Sequence, residues 1–141
     1  MLNLMTAFAV FLFVFSLMAK TLFDKYGGVP MATRVARDFH ERLMRRPHLR
    51  RYFLEIPIDR IIQHHIEYIS YALGKPTQHY SIEDIRAQHK HCGVTGASFD
   101  LTRELFVACL EEESITEIDI THIMETLREV RSTIVTKGVE R

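Results

Sequence analysis

Eight histidines stand in a 141-residue chain that has no tryptophan, and imidazole is the commonest metal ligand a protein offers near neutral pH. Their spacing sorts them. Ile82, Ile85, His89 and Cys92 are three or four residues apart, so on a helix they share one face. Glu83, Asp84, Arg86, Gln88 and Lys90 between them are polar, which aims His89 inward. That pattern fits a core imidazole bonded to a backbone carbonyl, or a ligand to a metal or haem iron. Earlier in the chain Ile61, His65 and Ile69 line one ridge. His64 is rotated by about 100° from His65 and joins Ile61 and Tyr68. His40 follows Phe39 on the side of Ala36 and Leu43. Four histidines (40, 64, 65 and 89) thus lie on or beside the inward faces of three helices, and one buried prosthetic group with an iron centre accounts for all of them.

The run His89-Lys90-His91-Cys92 is a poor zinc cluster. Residues two apart on a helix point about 200° apart, and the chain has no Cys-x-x-Cys pair. His48, His79 and His91 fall in loop-like or polar contexts and His122 on a polar flank, so all four read as solvated. Cys92 and Cys109 read as free thiols, with Cys92 in a packing role. Eighteen basic and 18 acidic residues cancel, which gives no basic footprint for nucleic acid. Six Gly, 4 Pro and 2 Cys exclude collagen-like, disordered and disulfide-scaffold classes.

The histidines need helices to position them. Thr21 to Tyr26 reads as a short helix stopped by Gly27-Gly28. Met31 to Arg46 carries Ala32, Val35, Ala36, Phe39 and Leu43 at helical period, up to Pro47. Asp59 to Leu73 follows, ended by Gly74-Lys75-Pro76. Ser81 caps the short helix that bears His89, with Glu83 and Asp84 in its first turn, and Gly93 closes it. Ser98 to about Glu112 and a last helix running to Val135 finish the domain, the latter started by a Ser114-Ile115-Thr116-Glu117 capping box. No sustained alternation supports strands. The fold class is all-α.

Residues 1–19 form a separate apolar leader, with 16 hydrophobic residues in 19 and no charge. Leu2 to Ala19 is near the shortest helix that spans a bilayer, and Lys20 and Lys25 after it favour a membrane anchor with the domain facing the cytoplasm. A secretory signal, a start at Met18 that leaves a cytoplasmic protein, and a leader helix packed on the domain are the alternatives. Residues 20–137 then form one domain and 138–141 a tail.

Leu22-Phe23-Asp24-Lys25-Tyr26-Gly27-Gly28, Asp38-Phe39-His40-Glu41-Arg42-Leu43, Tyr52-Phe53, Ala72-Leu73-Gly74-Lys75-Pro76, Tyr80, Ile85-Arg86-Ala87-Gln88-His89, Gly93-Val94-Thr95 and Phe99 follow one another in a known order. In this the chain resembles the truncated haemoglobins, specifically their first group, from Thr21 to about Thr136. The resemblance implies a two-over-two helical sandwich, with an extra apolar N-terminal helix, around haem b. His89 would be the proximal iron ligand and Phe53 the aromatic stacked on the haem. Ile61, His64, His65 and Ile69 would form the distal wall and His40 its roof. Ile85, Val94 and Phe99 would pack against the haem, and Arg60 and Arg86 would either pair with its propionates or stay solvated. His40 stands where the family usually has Tyr, His65 where Gln is common, Lys75 in place of a glycine, and Ile82 where a glycine often follows the tyrosine. His64 occupies a place where some members carry a histidine that itself binds iron. Ser132 stands where a covalently linking histidine would be needed.

Haem iron held by one histidine leaves a sixth position open, and the polarity around it decides between ligand binding, activation and electron transfer. On one reading O2, NO or CO binds there, with His40 and His65 as hydrogen-bond donors; oxygen carriage, oxidation of nitric oxide to nitrate and a peroxidase-like side activity belong to it. On the other, His64 fills the sixth position and the protein serves electron transfer or redox and gas sensing. No flavin or nicotinamide motif is evident, so electrons must come from a separate reductase. A monomer without nucleic acid meets either reading.

Overall fold

A computed structural model describes residues 3–18, 21–77 and 80–136. Among them are nine helices and no strand: α1 (Leu4–Met18), α2 (Leu22–Lys25), α3 (Gly28–Met44), α4 (Pro47–Arg50), α5 (Ile58–Ala72), α6 (Ile82–His89), α7 (Gly96–Glu112), α8 (Glu117–Thr126) and α9 (Arg128–Ile134). His79 and the 138–141 tail lie outside the described residues. α3 and α5 pack as one pair against α7 and the α8–α9 arm. This is the expected two-over-two sandwich.

Local chemistry sets the boundaries. The Thr21 hydroxyl accepts from the Asp24 N–H at 3.2 Å and caps α2. Gly27 then takes φ 117°, where a side chain would be strained, and α3 starts at once at Gly28. It begins three residues earlier than the apolar period predicts, because first-turn N–H groups have no intrahelical partner and Pro30 loses nothing there. Pro47 likewise opens the short α4. Met31, Val35, Ala36, Phe39 and Leu43 face inward from α3 and meet Ile62, Ile69 and Leu73 of the α5 arm and Phe106 and Leu110 of α7.

The C-terminal arm differs from the single helix predicted. Its cap is Thr116, which accepts from the Asp119 N–H, and Ser114 takes a left-handed φ of 58°. The helix breaks at Leu127, so that α8 packs on α5 and α7 while α9 turns onto α6. That turn is what seats the histidine-bearing α6 against the bundle.

The described part of the leader is shorter than the predicted 18-residue span. α1 has 15 residues, about 22 Å at 1.5 Å per residue against roughly 30 Å of hydrocarbon. No helix among the described residues is long and apolar enough to cross a membrane. Among its described side chains Leu4 is 86% exposed and Phe13 66%.

Candidate functional site

α6 is only eight residues long, and a capping box holds it. Ser81 Oγ accepts from the Asp84 N–H at 3.1 Å while Asp84 Oδ2 accepts from the Ser81 N–H at 3.2 Å. His89 is its last residue, half-buried, with Nδ1 2.7 Å from the Ile85 carbonyl oxygen. A carbonyl only accepts, so Nδ1 carries the proton and Nε2 is left with a free lone pair. Ile85 is therefore not a wall residue as the resemblance implies. Its side chain is fully buried in the core and its carbonyl orients the imidazole.

Across from α6, α5 presents two adjacent histidines about 100° apart on the helix, and they do different things. His64 faces His89, with ring centroids 6.0 Å apart and planes at 46°. Burial first, and the facing His89 second, lower its pKa. His65 lies in the cavity wall within an aromatic nest, 5.0 Å from Phe39 and 6.0 Å from Phe53. It is 4% exposed, and burial, then His64 and His40, push its pKa down to about 3. His40 sits 5.8 Å from His65 and 6.2 Å from Phe53, and burial lowers its pKa as well. His65 Nε2 and His40 Nδ1 are both buried without a hydrogen-bond partner. Such atoms cost about 1–3 kcal/mol each until something satisfies them.

Between the two sides lies a cavity of about 650 Å³. Of the predicted site residues, His89, His64, His65, Phe53, Ile61, Val94, Phe99 and Arg60 line it. Four do not. His40 lies behind the wall, Ile69 and Ile85 are fully buried core, and Arg86 is exposed and off the cavity. Ile69 is one turn beyond His65, on the side of α5 that packs on α3, so its predicted place in the distal wall is not where the structure puts it. Tyr68, Tyr80 and Phe106 line the cavity and were missed. The Tyr80 ring is 6.0 Å from His64, and burial pushes both tyrosine hydroxyls well above their ordinary pKa. Tyr68 shares the helical face of Ile61 and His64, a signal available from spacing. Cys92 is exposed and borders the cavity; Cys109 is buried, and burial raises its pKa to about 12. Both are free thiols.

These residues fit a haem. The volume is in the usual range for a cofactor site, about 300–1,000 Å³. No cluster of three or more His, Cys, Asp or Glu among the described residues could hold a bare ion, so the opposed imidazoles suit a metal whose other ligands come from a macrocycle. The unpartnered His65 Nε2 adds a buried polar atom beside the Phe39 and Phe53 rings.

Comparison with known proteins points the same way. The family model described as "Bacterial-like globin" matches residues 21–136. The chain is 27% identical over 101 residues to the group 1 truncated hemoglobin GlbN of Synechocystis, covering 69% of this chain and 81% of that protein. The crystal structure of THB4 from Chlamydomonas reinhardtii is 28% identical, with a TM-score of 0.73, over 81% of this chain and 94% of that one. Two further structures share the fold. The Fe(III) truncated hemoglobin of Tetrahymena pyriformis has a TM-score of 0.74 at 19% identity, and the 2/2 hemoglobin of Synechococcus, cyanomet with covalently attached heme, 0.73 at 20%. Each covers 84% of this chain and 100% of its own.

Proposed function

Because this chain belongs to the bacterial-like globin family, we propose that it holds haem b with His89 as proximal ligand and His64 as an internal ligand on the opposite side. O2, NO or CO then binds by displacing His64. The observation that carries this reading is the opposition of His64 and His89 across the cavity at 6.0 Å. Bound haem supplies an iron whose axial positions take imidazole or a diatomic ligand.

The chain's own residues do the rest. The Ile85 carbonyl fixes the His89 tautomer and ring direction, as second-shell acceptors do for metal-bound histidine. Phe53, Ile61, Val94 and Phe99 supply apolar lining that would keep water from the cavity, and the exposed Arg60, which also lines it, would pair with a propionate. His65 stays neutral through the physiological range, so its Nε2 is a hydrogen-bonding atom rather than a charge. His64 sets the affinity. If the open form is a fraction f of the protein, the apparent Kd for an added ligand rises by 1/f, about 100-fold at f of about 0.01. Reduction of the iron falls to a separate protein donor. For the leader, association with lipid short of a full span is the reading its exposed apolar side chains support. Cell fractionation with and without residues 1–17 tests it: an unchanged partition refutes it.

The visible absorption spectrum of the purified ferrous protein tests the site. Sharp low-spin bands before any ligand is added, lost in His64→Leu, are expected. A high-spin five-coordinate spectrum overturns internal ligation. Haem retention unaffected by His89→Ala overturns the proximal assignment, and failure to retain haem overturns the haem reading.

A further inference from the structure

The cavity adjoins an exposed surface that shares only Ile56 and Arg60 with the cavity lining. Residues 42–60 contain six arginines and no lysine. Two are spoken for: Arg42 pairs with Asp38 and Glu112, and Arg45 with Glu41. Arg46, Arg50, Arg51 and Arg60 are exposed, and none of them has an ion-pair partner among the described residues. Among these cations three large apolar side chains face solvent: Leu54 at 67%, Ile56 at 41% and Ile58 at 60%. All seven lie between the N-cap of α4, which is Arg46, and the first turn of α5. Ile56 and Arg60 also line the cavity, and Arg51 lies over the ring of Tyr52, another lining residue, at 5.0 Å. In a chain of zero net charge this concentration is not a by-product of composition.

An apolar centre with a charged rim is the anatomy of a protein interface, where Arg is enriched and Lys depleted. Small interfaces of this kind suit transient electron-transfer encounters, below about 1,200 Å². A guanidinium rim selects carboxylates on the partner. A flat anionic bilayer fits less well, because Glu55 and Asp59 interrupt the patch and would face lipid phosphates, whereas a protein surface can be patterned around them. We propose that Arg46, Arg50, Arg51 and Arg60, around Leu54, Ile56 and Ile58, form the docking surface for an acidic one-electron donor protein. The proposal rests on the haem reading above. One electron passes, the donor is oxidised and the haem iron reduced, and no bond is made or broken.

The probe is a reduced plant-type ferredoxin, an acidic iron–sulfur protein, mixed with the ferric full-length holoprotein in a stopped-flow instrument. The wild-type reduction rate should fall steeply with salt, and Arg50→Glu/Arg51→Glu should slow it about tenfold at low ionic strength. Leu54→Ser/Ile58→Ser should slow it at high salt too. Arg37→Glu/Arg128→Glu, an equal change in total charge on exposed residues elsewhere, should leave it unchanged. Titration calorimetry with oxidised ferredoxin reads docking without any haem signal. Binding without a haem spectrum therefore refutes the haem reading alone, and haem without binding refutes the docking alone. A salt-independent rate, or equal slowing by both charge-reversed pairs, overturns the proposal. So does a loss of pelleting with phosphatidylserine vesicles in Arg50→Glu/Arg51→Glu while ferredoxin reduction stays intact, which would make the occupant a membrane. Salt-sensitive dimerisation lost in the same variant would make it a second copy and overturns it equally.

Discussion

His65→Leu in the haem-free protein is the sharpest probe of the cavity's electrostatics. The wild-type imidazole is 4% exposed with Nε2 unpartnered, and burial pushes its pKa down to about 3. In the unfolded chain it returns to about 6.5. Because the folded pKa is the lower one, the unfolded state binds more protons below pH 6.5, and stability falls as pH falls. At pH 5 the folded imidazole is still neutral, so the loss is set by protonation of the unfolded chain. It is close to 1.36 kcal/mol per unit over the 1.5 units below 6.5, or about 2 kcal/mol. At pH 7 it is about 0.2 kcal/mol.

Leucine removes that dependence along with the orphaned nitrogen, whose burial costs about 1–3 kcal/mol. Urea unfolding followed by far-ultraviolet circular dichroism should show His65→Leu more stable than wild type at pH 7. The gap should widen by about 2 kcal/mol on going to pH 5. Parallel pH profiles for the two proteins would mean that His65 charges inside the fold, and the dry-wall reasoning would fail. A destabilised variant at pH 7 with unchanged slope would mean that the ring's contacts with Phe39 and Phe53 outweigh the unpartnered nitrogen.

Three further perturbations test the scaffold. Ser81→Ala removes the hydroxyl half of the α6 capping box, the bond from the Asp84 N–H to Ser81 Oγ, while the backbone N–H of residue 81 can still reach Asp84, and should cost about 1 kcal/mol; because His89 is the last residue of that helix, haem transfer to an acceptor globin should speed up several-fold, and an unchanged rate would detach the cap from the ligand. Gly27→Ala forces a side chain into φ 117° with its Cβ 3.3 Å from the Met31 Cβ and should lower stability by about 1–3 kcal/mol. Gly28→Ala, at φ 67° with its nearest neighbour 3.8 Å away, should cost less, and the reverse order in chemical denaturation would refute the steric argument. Phe106→Ala, at a ring 1% exposed and 5.4 Å from both Phe39 and Tyr68, should cost about 3–5 kcal/mol by the same measurement.

How far the sequence could be read depended on what each signal encodes. Period and caps revealed α3, α5 and α6, because an apolar stripe and a Ser-x-x-Asp start are local features that tertiary packing reinforces. The end of the chain was harder. Ile120, Ile123, Met124, Leu127, Val130 and Ile134 keep a helical period across Leu127, but the two halves bury against different partners, and the break answers to packing that periodicity does not carry. The same limit governs the site. Facing inward was legible for His64, His65, His89, Ile69 and Ile85 alike. Whether inward meant cavity or core was not, since that depends on how far the facing helix stands off. Ile69 and Ile85 are fully buried among core neighbours, while His64 and His89 line the cavity. The exposed Ile56 and Arg60 at the mouth had no periodic signature at all, lying in a turn and a first helical turn.

The register of α5 ties these observations together. Pro57 stands at its N-cap, and Ile62 and Ile69 lock one side of it into the core. With that face fixed, His64 and His65 cannot exchange roles, because a rotation of about 100° would drive buried isoleucines into solvent. If His64 serves as the proposed internal ligand, its release would not be a movement of the helix. It would be a swing of the His64 side chain alone, past Tyr80 at 6.0 Å and within a cavity of about 650 Å³. Rotamer exchange in such a space is a local event, cheaper than repacking α3 against α5. On the proposed reading the fold would separate a rigid half, which fixes where His64 and His89 stand, from the His64 side-chain torsions, which would decide whether that imidazole is engaged.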